Sequence, residues 1–99
     1  MTDIRLKPVH PAEVLEEEFL KPLGLAKEEL AGKIGVSTKI IDGILRENKS
    51  ITADTALRLA KFFGTSAQFW LGLQSDHDLD IAREKLGDKL EKEIVPIAA

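Results

Sequence analysis

Apolar positions between residues 11 and 90 recur at steps of three and four, and no stretch alternates over the length of a strand. That period is helical. The breaks fall at Pro11, Pro22, Gly24, Gly35, Ser50, Gly64 and Pro96. Pro11 suits a first helical position, where its missing N–H would have no partner anyway. Ala12, Leu15 and Phe19 then form an inner stripe, with Glu16-Glu17-Glu18 toward water. Pro22 disfavours a helical Lys21 and is expected to stop this helix, leaving Leu23-Gly24-Leu25 as a connector. A second helix is predicted over Lys27 to Ile34, with Leu30, Ala31 and Ile34 inward. Its cap position holds Ala26, a poor cap, and Glu29 stands where a capping-box carboxylate belongs. A third helix, capped by Ser37, runs from Thr38 to about Glu47 and buries Ile41 with Ile44 or Leu45.

The fourth helix has Thr52 as cap, Ile51 stapled onto Ala56, and Asp54 in its first turn. Leu57, Leu59, Ala60 and Phe63 are its expected apolar face, and Gly64 its end. Ser66 caps a fifth helix carrying Phe69, Trp70 and Leu73. A separate helical segment follows, with Leu79, Ala82, Leu86 and Leu90 spaced by 3, 4 and 4. That stripe packs either on the body or on a second copy. The reading is an all-α fold, a compact bundle of about five helices with a C-terminal helical extension. Residues 1–8 form a flexible arm, 9–75 the main domain, 76–94 the extension and 95–99 a flexible tail. The 99 residues suffice for one modest core.

Composition narrows the function. With no cysteine, disulfides, thiolate catalysis and Cys-ligated zinc are excluded, which fits a reducing compartment. No apolar run approaches the roughly 18 residues of a membrane span, and Met1 to Lys7 lacks a signal-peptide core, so a cytoplasmic chain without a membrane partner is expected. The net charge of −3 is unevenly placed. Residues 37–63 carry five basic side chains (Lys39, Arg46, Lys49, Arg58, Lys61) against three acidic ones (Asp42, Glu47, Asp54), whereas both flanking segments are acidic. Asp76, Asp78 and Asp80 resemble the start of a calcium loop, but Ile81 and Gly87 stand where that loop needs Gly and a bidentate Glu. No phosphate loop, nucleophile elbow or metal-spaced histidine pair occurs, so no catalytic residue, metal or cofactor is expected and the chain reads as a non-enzyme. His10 is expected to cap locally, and His77 to lie at the surface.

The informative stretch is KEELAGKIGVSTKIIDGILR, residues 27–46. Two helices that cross steeply must approach closely at Ala31, and Gly35 supplies the positive φ of a tight turn. Leu30, Ile34, Val36, Ile41 and Ile44 fill the wedge between them. This is a helix-turn-helix pattern, whose second helix can lie in a DNA major groove. Around it, HPAEVLEEEFLKPLGL and ITADTALRLAKFFGTSAQFWLGLQ are similar to the HigA/VapI-type antitoxins, a branch of the XRE (Cro/CI-like) DNA-binding proteins. The resemblance covers residues 9 to about 83. Departures are Ala26 for a capping Ser, Lys27 for a phosphate-contacting Gln, Ala67-Gln68 for Pro-Glu and Gly72 for Asn.

The resemblance implies a homodimer that binds a palindromic operator in its own promoter as a repressor and neutralises a HigB/RelE-like mRNA-cleaving toxin. A stand-alone regulator without a toxin, or an interaction module with weak DNA affinity, are the competing readings. Thr38, Lys39, Asp42, Gly43 and Arg46 are the candidate base-contacting residues, with Asp42 suited to a cytosine amino group. Gly43 would allow close backbone approach. Lys27, Ser37 and Lys49, near helix starts and the following loop, are the phosphate candidates. Phe69, Trp70, Leu73, Leu79, Ala82 and Leu86 are expected in the core or a dimer contact.

Overall fold

A computed structural model describes residues 9–47 and 49–98, in which helices are joined by short turns without any strand. We number the helices α1 (residues 11–23), α2 (Lys27–Ile34), α3 (Thr38–Glu47), α4 (Ala53–Phe63), α5 (Ala67–Leu86) and α6 (Lys89–Glu93). The expected N-terminal arm, residues 1–8, lies outside the described residues, as does Ala99 of the expected tail.

The starts of α1 to α5 follow the sequence signals. His10 caps α1, its Nδ1 accepting from the Ala12 N–H at 3.0 Å. Glu29 accepts from the Ala26 N–H at 3.0 Å, which supplies the carboxylate half of a capping box whose other half alanine cannot make. Thr52 accepts from the Thr55 N–H at 3.2 Å, and Ser66 from the Phe69 N–H at 3.0 Å.

Two expected helix ends are overturned. Pro22 does not stop α1: Lys21 stays helical (φ −66°, ψ −50°), and the chain turns only at Gly24 (φ +62°). The reason lies one turn earlier, where Leu15–Leu20 is π-helical and the Lys21 N–H donates to the Glu16 carbonyl. In a regular α-turn the proline ring would strike the carbonyl four residues back. The wider i→i+5 turn gives that carbonyl room. It also brings Leu15 and Leu20, five residues apart, into the core together. The second correction concerns the fifth helix and the extension, which are one uninterrupted helix, α5, of 20 residues. No proline interrupts it, and a single interior glycine costs only ~1 kcal/mol. Gly87 (φ +55°, ψ −124°) ends it and turns the chain into α6, so Leu90 is not on the same helix as Leu79, Ala82 and Leu86.

The core is formed by Ala12, Leu15, Leu20, Leu30, Ala31, Ile34, Ile41, Ile44, Ile51, Ala56, Leu59 and Trp70. Trp70 is fully buried and packs on Phe19, Phe63 and Phe69 at centroid distances of 5.2, 6.2 and 5.0 Å. Its indole N–H donates to Thr65 Oγ1 at 2.8 Å, so the ring's polar edge is satisfied inside. Leu73 is half-buried against this core, while Phe69 keeps an exposed flank. Leu57 departs from expectation: it is 63% exposed, on the opposite side of α4 from Leu59.

Beyond Gln74 no described residue is buried. The second half of α5, α6 and the residues after it are open to solvent, in line with a radius of gyration of 16.7 Å where about 13 Å is typical of this length. Leu79, Ala82 and Leu86 therefore lie open rather than on the body. No helix among the described residues is long and apolar enough to cross a membrane.

Candidate nucleic-acid interface

The turn between α2 and α3 is built from backbone constraints. Ala31, buried against α3, ends α2 by accepting from both the Gly35 N–H (2.9 Å) and the Val36 N–H (3.0 Å). This closure requires a left-handed residue at Gly35, which adopts φ +76°. From α4, the Arg58 guanidinium donates to the Ile34 carbonyl at 2.8 Å and is itself held by Asp54 at 2.6 Å. The turn is thus clamped from outside as well as packed from inside by Ile41 and Ile44. Leu45 is only half-buried.

Once Ile41 and Ile44 point inward, the other side of α3 faces water. Lys39 is exposed, Arg46 is 74% exposed in its side chain, and Thr38 and Asp42 are half-buried. Ser37 and Lys49 are exposed at either end of the helix. Ile40, which the sequence reading did not single out, is also exposed beside Lys39.

Gly43 is not on that open face. It is buried, and a Cβ placed there would meet Lys49 Cδ at 3.2 Å. The glycine lets the lysine stem fold across α3, and the Lys49 N–H donates to the Gly43 carbonyl at 3.0 Å. The expected close approach at Gly43 is therefore made by this chain's own Lys49.

Asp42 joins two of the other candidates. The Lys27 ammonium, at the start of α2, donates to Asp42 Oδ1 at 2.5 Å, and Arg46 Nε lies 3.5 Å from the same oxygen. The hydrogen bond from Lys27 is the main reason the Asp42 carboxyl is held below the usual carboxylate range; the charges of Lys27 and Arg46 add to it, and partial burial opposes it. Lys27 and Arg46 also line an open cleft with Lys21, at the end of α1. Lys21 is paired with Glu17 at 2.8 Å, which raises its pKa.

Residues 17–70 match the family model described as helix-turn-helix. The virulence-associated protein I of Dichelobacter nodosus is 50% identical over 76 residues, 77% of this chain and 70% of that protein. The antitoxin HigA-1 of Vibrio cholerae is 33% identical over 79 residues, 80% of this chain and 74% of that protein. The chain belongs to the XRE-type helix-turn-helix family, in its HigA antitoxin branch. Among solved structures, the Pseudomonas aeruginosa antitoxin HigA with the higBA promoter is 41% identical and superposes with a TM-score of 0.87, over 93% of this chain and all of that one.

Three contributors to this HigA-type site escaped the sequence reading. Arg58 enters the sequence analysis only as a charge and Lys21 only as the residue before Pro22, although Asp54 and Glu17 at i−4 signal fixed partners for both. Gln74 is buried; its Oε1 accepts from the Ile51 N–H at 3.1 Å and its amide donates to Asp78 at 3.0 Å, fixing the segment after α3 to α5. The local sequence offers Gln74 only Asp78 at i+4; the partner that ties it to the segment after α3 lies 23 residues away. His77 is half-buried edge-on against His10 at 5.0 Å rather than free at the surface. The described residues contain no His, Cys, Asp and Glu group suited to holding a metal ion.

Proposed function

We propose that the chain is a dimeric repressor that lays α3 in the major groove of its own promoter and also neutralises a HigB-like toxin. The observation that carries the DNA arm is the placement of Lys39 and Arg46, both open to solvent on a helix whose opposite side is locked into the core. Thr38, Lys39, Asp42 and Arg46 form the base-reading set, and Lys27, Ser37 and Lys49 the phosphate set. The repressor role is in keeping with its HigA relatives, one of them solved with its promoter. Two such helices about 34 Å apart across a dimer would read half-sites one helical turn apart.

The dimer surface is assigned to the open stripe of Leu79, Ala82 and Leu86 on α5; in the other candidate, the Phe69-Trp70 region, Trp70 is consumed by the core and Phe69 alone keeps an open flank. The toxin arm draws on the acidic side chains that α5, α6 and the turn between them expose, Asp76, Glu84, Asp88 and Glu91 among them, which complement a basic RNA-cleaving protein.

The test is a titration of the chain's own upstream DNA at several salt concentrations. Lys39→Ala and Arg46→Ala are each expected to weaken binding by about 1–3 kcal/mol if they read bases. Unchanged affinity in both variants would refute the assignment. For the toxin arm, co-expression with a HigB-like toxin should restore growth that the toxin alone arrests, and a truncation lacking residues 76–99 that still rescues fully would exclude the extension.

A further inference from the structure

We propose that Asp42 is a specificity-determining residue that works by holding the Lys27 ammonium away from DNA until the correct base replaces it. The inference rests on the DNA-binding reading above and deepens it.

The carboxylate sits on the open side of α3 between two cations, Lys27 from α2 and Arg46 one turn further along its own helix. The Lys27 contact spans 15 residues of sequence and bridges the two helices of the motif. Lys27 is held more closely than a free surface lysine: its side chain is 23% exposed, against 74% for Arg46. A cation in that pair gives little to a phosphate, because releasing it strands the carboxylate beside the polyanion. On a wrong sequence the exchange is unfavourable, and both charges stay paired. On the right sequence a base-edge donor, the amino group of a cytosine, takes over the carboxylate oxygen. Lys27 is then free to reach the backbone. One acid thus lowers binding to all DNA and returns the loss only where the sequence matches. A mildly acidic chain gains discrimination this way without adding contacts.

The experiment measures binding to the chain's own upstream DNA and to a scrambled duplex of equal length and composition, across a range of salt. Wild type, Asp42→Asn, Lys27→Met and the double variant are compared, with circular dichroism confirming that each is folded. Asparagine keeps an acceptor for cytosine but loses its hold on the ammonium. Asp42→Asn is expected to raise affinity for the scrambled duplex by about tenfold at low salt, and to steepen its log–log salt dependence by about 0.9 for each cation released. Affinity for the upstream DNA should change much less, so the ratio between the two duplexes falls. In the Lys27→Met background the gain from Asp42→Asn should shrink severalfold, because the released cation is gone. Equal gains on both duplexes, or a gain undiminished by Lys27→Met, would overturn the inference while leaving the DNA-binding reading intact. A wild-type chain that prefers neither duplex at low salt would remove that reading and this inference with it. Should Asp42→Asn fail to fold, Asp42→Ser serves in the same comparison.

Discussion

Asp42 leaves a titration signature of its pairing with Lys27. Its carboxyl is held below the usual range by the Lys27 hydrogen bond. A group depressed in the folded state adds stability above its unfolded value, about 3.9 for Asp, and that stability disappears as pH falls through the folded value. Thermal denaturation followed from pH 7 to pH 3 should therefore show wild type more stable than Asp42→Asn near neutrality, with the two curves converging in acid. Parallel curves would mean that the pair contributes nothing to the fold. The gap should be small, since pairs this open to water are weakened by solvent. Arg58 shows a different principle at the same scale. It was visible in the sequence only as a charge, yet it holds a carbonyl of the motif turn, because α4 places its guanidinium 2.8 Å from Ile34 O.

Among the elements, two glycines separate turn geometry from helix propensity. Gly35 has φ +76°, and an added Cβ would meet Arg58 Nη1 at 3.0 Å. Gly72 lies within α5 with nothing within 4 Å of an added Cβ. Gly35→Ala should destabilise the chain by about 1–2 kcal/mol or more, from the left-handed backbone and the crowding of Arg58. Gly72→Ala should stabilise it by up to about 1 kcal/mol, since only helix propensity changes. Urea denaturation of both variants checks the signs, and a Gly35→Ala protein as stable as wild type would contradict the clamped turn. The element ends were the least legible part of the chain. The rule that makes Pro22 a stop assumes a regular α-turn before it; the π-turn of Leu15–Leu20 removes that assumption. Leu57 and Leu59 share the expected apolar face of α4, yet only Leu59 turns inward and Leu57 is left outside.

For the whole molecule, the projecting half of α5 governs assembly. Leu79 and Leu86 are 48% and 37% exposed, on a helix face that meets no part of this chain's core. If a second copy covers them, Leu79→Glu with Leu86→Glu should give a monomer by light scattering while the body, whose core ends at Trp70 and Gln74, stays folded. Promoter affinity should then drop by more than tenfold, because one recognition helix must bind alone. A double variant that remains dimeric would move the interface elsewhere.

The sequence alone determined the helical class, the caps at His10, Thr52 and Ser66, and the pair of helices around Gly35. Each of these depends on residues within a turn or so of one another, where spacing and side-chain chemistry act directly. The tertiary structure alone decided that Lys27 meets Asp42, that Lys49 covers Gly43, and that Gln74 anchors Ile51. The Lys27 and Gln74 contacts join separate elements, and their partners are chosen by how the helices cross; the Lys49 contact depends on how the chain folds back after α3. A periodic pattern fixes which face of a helix is apolar, but not which charge lies opposite a given acid once the helices have packed.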